Sequence, residues 1–197
     1  MNRACIALLA LLSISCGDMV RQGTASSYLI LTSLEAASGA EPGQFGGTLS
    51  SDVITVTDQA TGQTTIFADL GRATFRLALK DPGAPVSPNS PSLANAITIN
   101  RYRVRFIRAD GRNTPGVDVP YAFDGAVTLT VTETGAVTFT LVRAQAKAEP
   151  PLAALARNFL VLSTIAEVTF YGHDQTGREV ITTGNISVNF ANWGDPE

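Results

Sequence analysis

Charge is scarce in this chain, and its basic residues do not outnumber its acidic ones. Against 17 Asp and Glu stand 14 Lys and Arg; charged residues make up 16% of the sequence and the formal net charge is −3. Proteins that hold polyanions need the opposite balance, because phosphate neutralisation supplies most of their affinity, so nucleic acid is excluded as a partner. Histidine is nearly absent, His173 being the only one. No G-x-S-x-G elbow supplies a nucleophile for it to serve, and it sits beside Asp174 in turn-like sequence. A Ser/His/Asp triad can be assembled on paper from any chain this rich in serine, so nothing points to catalysis. Beyond the N-terminal segment no apolar stretch approaches the roughly 20 residues that span a bilayer.

What the chain has at its start is specific. Arg3 supplies a basic n-region, residues 4–12 an apolar h-region, and Ser13-Ile14-Ser15 the small residues directly before Cys16. A membrane-spanning helix over 4–15 fails on length, since a rise of about 1.5 Å per residue cannot cross about 30 Å of hydrocarbon in so few residues. Leu12-Ser13-Ile14-Ser15-Cys16 resembles the lipobox of bacterial lipoproteins. The resemblance implies that residues 1–15 are a signal peptide cut before Cys16, whose sulfur and new amino group carry acyl chains. Ser13-Ile14-Ser15 also satisfies the rule for ordinary secretory cleavage, which would release a soluble chain beginning at Cys16. Gly17 after the cysteine, rather than aspartate, favours the outer membrane under the sorting rule of diderm lipoproteins.

Cleavage removes one base and no acid, leaving 13 bases, 17 acids and a net charge of −4. Cys5 leaves with the signal, so the fold must hold without an internal disulfide. One histidine and one acylated cysteine cannot make a zinc site, and no cofactor is expected. Residues 16–27 are polar and small and read as a lipidated tether reaching about 35 Å when extended.

Residues 28–193 then read as one domain, with a tail at 194–197. Segments 28–34, 53–57, 74–79, 97–107, 126–132, 136–142, 165–171 and 186–190 are rich in β-branched and aromatic residues. In 126–142, Val127, Leu129 and Val131 alternate with threonines, and Val137, Phe139 and Leu141 answer them across Glu133-Thr134-Gly135, which predicts a hairpin with glycine in its turn. Asp58-Gln59-Ala60-Thr61-Gly62 and Asp174-Gln175-Thr176-Gly177 share turn chemistry. Segment 80–96, with Pro82, Pro85, Pro88 and Pro91, is excluded as a central strand and reads as an extended loop between two strands, the alternatives being a recognition loop or a linker between two small domains. Leu152, Leu155 and Phe159 after Pro150-Pro151 predict a short helix or helical turn across one end. The expected fold is an all-β antiparallel sandwich with that one helical turn.

Among candidate binding residues, Arg101, Arg103 and Arg105 share one strand face. Either they form an anion site or they are a solvated row paired with acids such as Glu167. Asp110, Asn113, Asp118 and Asp124 offer oxygens for calcium without a D-x-D-x-D-G spacing. Trp193, near Phe190, either stacks on a sugar or closes the core. Arg101-Tyr102-Arg103-Val104-Arg105-Phe106, Val117-Asp118-Val119-Pro120-Tyr121 and Val168-Thr169-Phe170-Tyr171-Gly172-His173-Asp174-Gln175 resemble the β-domain of bacterial lipoproteins, similar in pattern to immunoglobulin-like or fibronectin-like sandwiches. The paired cysteines and core tryptophan of true immunoglobulin domains are missing.

The resemblance implies a fold and no activity. The expectation is a lipid-anchored cell-envelope protein with a non-catalytic binding or assembly role toward another envelope protein, the alternative being an envelope carbohydrate-binding module. Cys16→Ala should abolish acyl labelling and release the protein from membranes; detergent-dependent retention of the variant would contradict lipidation.

Overall fold

Alternating apolar and polar side chains produce an all-β architecture in the computed structural model, which describes residues 25–193. Cys16, the signal segment, most of the tether and the tail 194–197 lie outside the described residues. The order is β1 (Ser27–Ala37), β2 (Thr48–Asp52), a small hairpin of β3 (Thr55–Asp58) and β4 (Gln63–Thr65), then β5 (Asp69–Leu79). A minimal hairpin of β6 (Gly83–Ala84) and β7 (Ser87–Pro88) lies inside the proline-rich loop. β8 (Ile97–Ile107), β9 (Phe123–Val131), β10 (Thr134–Val142), β11 (Leu162–Asp174) and β12 (Glu179–Ala191) follow. Between β10 and β11 run a single helical turn, α1 (Ala144–Lys147), and a 3-10 segment, Leu152–Arg157. No helix among the described residues is long and apolar enough to cross a membrane.

Two main sheets result, one ordered β1-β5-β10 and one ordered β2-β12-β11-β8-β9, the larger curling into a half-barrel. Their pairings are antiparallel except for β2, which runs parallel to β12. Every second residue of β11 is buried from Leu162 to Asp174, as the two-residue period of a half-exposed strand requires. The core between the sheets is aromatic. Phe170 of β11 meets Phe75 of β5 edge-on at 5.0 Å and Phe139 of β10 at 5.3 Å, each such pair adding about 0.5–1.5 kcal/mol beyond burial.

The strands expected over 126–142 form, but they do not pair with each other. β9 hydrogen-bonds to β8 in the larger sheet and β10 to β5 in the smaller. The link is therefore a corner between sheets, and both strands still turn their apolar faces into one core. Gly135 lies within β10, opposite Phe75, with no positive φ. A second correction concerns Phe159, which is fully exposed while Leu152 and Leu155 are buried. The segment is a 3-10 helix that ends at Arg157, and its three-residue turn keeps positions 152 and 155 on one face without reaching 159. The tether also ends earlier than expected, since Ala25 and Ser27 are buried.

One polar cluster sits inside this apolar frame. Lys147 Nζ of α1 donates to Asp69 Oδ1 at 2.8 Å, and the two side chains are 1% and 0% exposed. Ser51 Oγ of β2 donates to Asp69 Oδ2 at 2.6 Å, and the Gly39 N–H donates to Oδ1 at 2.9 Å. Gly39 is required there, because a Cβ would lie 2.2 Å from the Ala68 carbonyl oxygen. Burial pushes the Asp69 carboxyl above its ordinary range, against the pull of the Lys147 ammonium and the three donors. The cluster thereby ties the first residue of β5 in one sheet to β2 in the other. Lys147→Met, which leaves a buried carboxyl without its cation, should cost about 3–5 kcal/mol in urea unfolding. The Asp69→Leu/Lys147→Met double variant should lose less than the two single variants combined; additive losses would show that the pair is not coupled.

Candidate functional site

The arginine row is already paired. Arg105 and Glu167 face each other in the β8–β11 register and meet at 2.9 Å, while Arg101 and Arg103 share Asp124 of β9 at 3.2 and 2.9 Å. The oxygens considered for calcium are dispersed over separate tasks. Asp110 receives the guanidinium groups of Arg108 and Arg112, whose hydrogen bonds hold its carboxyl well below the usual range. Asn113 accepts the Arg108 N–H, Asp118 accepts the Thr114 N–H, and Asp124 serves the arginines. Among the described residues no three His, Cys, Asp or Glu side chains converge to hold a metal.

His173 is the penultimate residue of β11, exposed, with Nδ1 3.2 Å from the Thr98 carbonyl oxygen. Phe190 is fully buried in β12, and Trp193 is half-buried with its indole N–H directed at the Asn189 carbonyl at 3.4 Å. On the outer face of the larger sheet, Asn100, Arg101, Tyr171, His173 and Glu179 border a polar concavity of about 530 Å³. Its cation is committed, because Arg101 stacks on Tyr171 at 3.9 Å and pairs with Asp124.

Besides the outer edges of the terminal strands β1, β9 and β10, part of β12 has unused bonding capacity. Its register with β11 is unbroken from Leu162/Phe190 to His173/Glu179. The Asp174 N–H donates to the Arg178 carbonyl at 3.0 Å. Antiparallel alternation then turns the backbone groups of Val180, Thr182, Gly184 and Ile186 toward β11, and those of Glu179, Ile181, Thr183 and Asn185 away from it. The far end keeps the same phase, since the Ala191 carbonyl accepts from the Val53 N–H on the outer side at 3.0 Å. β2 covers that outer side only from Ser187 to Ala191. Over 179–186 no strand among the described residues pairs with it.

The facing edge is β1. The Lys80 N–H donates to the Ser26 carbonyl, so the backbone groups of Ser27 and Leu29 are turned from β5 toward β12. At its other end Ala36 exchanges two 2.8 Å bonds with Gly46, just before β2. The chain itself thus fills the lower half of the seam between β1 and β12. The upper half opens as a groove of about 400 Å³ whose walls include Ser27, Tyr28, Leu29, Val180 and Ile181. Tyr28 and Ile181 form exposed apolar rims, at 55% and 48% exposure. Between the halves, Gly184 accommodates Leu31, whose Cδ2 would lie 2.2 Å from an added Cβ.

Edge strands are normally protected by lysine, proline or a bulge. Segment 179–186 carries one charge, Glu179, no proline and no register shift. Sequence reasoning missed this part of β12 because Thr182-Thr183-Gly184-Asn185 reads as turn; the alternation of Val180, Thr182 and Ile186 with outward partners was the available signal.

No protein-family model matches the chain, and no curated protein matches it. Among solved structures, the X-ray structure of Northeast Structural Genomics Consortium target SoR45 is similar over 87% of this chain and 91% of that one, at 12% identity and a TM-score of 0.32.

The turn that launches β12 is held by a buried carboxylate. Burial pushes Asp174 up, but the Thr176 hydroxyl, the amides of Arg178 and Thr176 and the Arg178 guanidinium outweigh it and keep its pKa below the ordinary value. A lowered folded pKa contributes stability above the unfolded carboxylate value, and that stability disappears as pH falls through the folded one. Asp174→Asn should therefore be less stable than wild type at pH 7 by about 1–3 kcal/mol. In urea titrations the difference should shrink on acidification; a constant difference across pH would contradict this role.

Proposed function

We propose that this chain is a lipid-anchored protein of the bacterial cell envelope whose role is non-catalytic: it binds or assembles with another envelope protein through the open edge of β12. The observation that carries this reading is the row of outward backbone groups at Glu179, Ile181, Thr183 and Asn185, uncovered among the described residues and carrying no charge beyond Glu179. Such a row is a template for strand addition.

The order of the strands supports an immunoglobulin-like arrangement. β1-β5-β10 correspond to A, B and E of that fold, and β12-β11-β8-β9 to G, F, C and C′. Cys16 precedes Ala25, a residue of the groove, by nine positions. Even fully extended, that length spans only about 30 Å, so acyl chains on Cys16 would keep the edge close to the membrane surface, and an outer-membrane location suits the Gly17 rule. Beside the β12 edge a protein partner is favoured over a glycan by the state of the two tyrosine rings there. Tyr171 is covered by Arg101, and Tyr28 faces Lys80 at 5.1 Å, so neither presents a free platform to a sugar.

The test is site-specific photo-crosslinking in intact cells, with a benzophenone amino acid replacing either Ile181 or Thr138, an exposed position on β10 in the other sheet. A stoichiometric adduct from position 181 and none from 138 is expected. Equal labelling at both, or none at 181, would overturn the assignment.

A further inference from the structure

Ser27 is 2% exposed, lines the groove, and its Oγ has no hydrogen-bond partner among the described residues. A buried hydroxyl left unpaired is destabilising and rare in native proteins, and calls for an explanation. On the groove wall Ala25, Leu29, Val180 and Ile181 have no polar side-chain atom to offer, and Lys80 and Glu179, which also line it, make no hydrogen bond to this hydroxyl. We propose that the upper half of the seam receives an extended polypeptide segment of a partner protein, and that Ser27 selects a residue of that segment bearing a hydroxyl or carboxamide. This inference rests on the edge-binding reading above and adds the chemistry of the occupant.

Three observations favour an extended segment over a helix or a small molecule. The outward groups of β12 recur at every second residue, from Glu179 to Asn185, which is the repeat of a paired strand and spans about 20 Å. The chain supplies its own example in the lower half, where β2 lies along β12 and the preceding Gly46 bonds to β1. The walls carry the exposed apolar Tyr28 and Ile181 together with the charged Lys80 and Glu179, while the buried floor carries one hydroxyl. An added strand turns alternate side chains inward and outward. One inward residue would therefore meet Ser27 while its outward neighbours pack against Ile181 and Tyr28.

The probe is an mRNA-displayed library of unconstrained twelve-residue peptides, selected on the detergent-solubilised full-length protein. Three variants separate the possibilities. Thr183→Pro removes an outward N–H that makes no bond to β11, and Ile181→Lys places a charge on the rim; both keep the internal ladder. Ser27→Ala deletes the hydroxyl and should leave the melting temperature unchanged or raised, because it removes an unsatisfied buried group.

The expected result is a consensus with Ser, Thr, Asn or Gln at one fixed position between apolar residues. Binding should fall at least tenfold on Thr183→Pro and on Ile181→Lys, and by about tenfold on Ser27→Ala, the effect of one lost hydrogen bond. Reselection on Ser27→Ala should replace the polar residue by Ala or Val. Peptides lost on the edge variants but indifferent to Ser27→Ala would overturn the role of Ser27 and leave edge binding standing. Peptides indifferent to Ile181→Lys, or a selection that enriches none, would overturn the groove as a peptide receptor, whereas the crosslinking at position 181 reports on edge binding by an intact partner.

Discussion

A carboxylate and an ammonium removed from water must stay together, and most of this architecture follows from where Asp69 and Lys147 meet. Asp69 begins β5, Lys147 closes the turn after β10, Ser51 comes from β2 and Gly39 from the loop after β1. Four stretches distant in sequence must assemble before either charge is satisfied, and breaking one contact leaves a buried charge whose isolation is costly. The pair does not drive folding, which burial of the Phe75, Phe139 and Phe170 cluster accomplishes. Its effect is positional: β2 is held against β12 although Thr48-Leu49-Ser50-Ser51-Asp52 has little intrinsic preference for a strand.

Holding β2 there divides the seam between β1 and β12 into unequal halves. Below, the buried network, the Ala36–Gly46 bridge and the parallel ladder close it. Above, two edges approach without pairing and Ser27 keeps an unanswered hydroxyl. Such an arrangement is less stable than a closed one, and low local stability is where binding elements are commonly found. At the opposite side of the sandwich a two-residue link carries the chain from β9 to β10, terminal strands of their sheets that do not pair with each other.

How much of this could be read from the chain varies with the range of the interaction concerned. The expected strand over 97–107 coincides with β8, because alternation is a local property. The pairing of Arg105 with Glu167 was foreseeable on the same ground, since residues that share a solvent face on adjacent strands meet. The turns ending at Gly62 and Gly177 adopt positive φ as their composition suggests. Partner choice was not foreseeable: the pattern in 126–142 orients side chains without saying whether two successive strands share a sheet. Asp69 and Lys147 are 78 residues apart and read singly as ordinary surface charges. An open edge is harder still, because what defines it is the strand that does not arrive.

β2 covers only half of the outer edge of β12, and residue-resolved amide hydrogen exchange by NMR measures that directly. Val180, Thr182, Gly184 and Ile186, which donate to β11, should exchange slowly. Ile181, Thr183 and Asn185 should exchange orders of magnitude faster, and protection should return at Ser187 and Asn189 beneath β2. Uniform protection from Val180 to Asn189 would mean that the edge is already covered and would contradict a half-open β12.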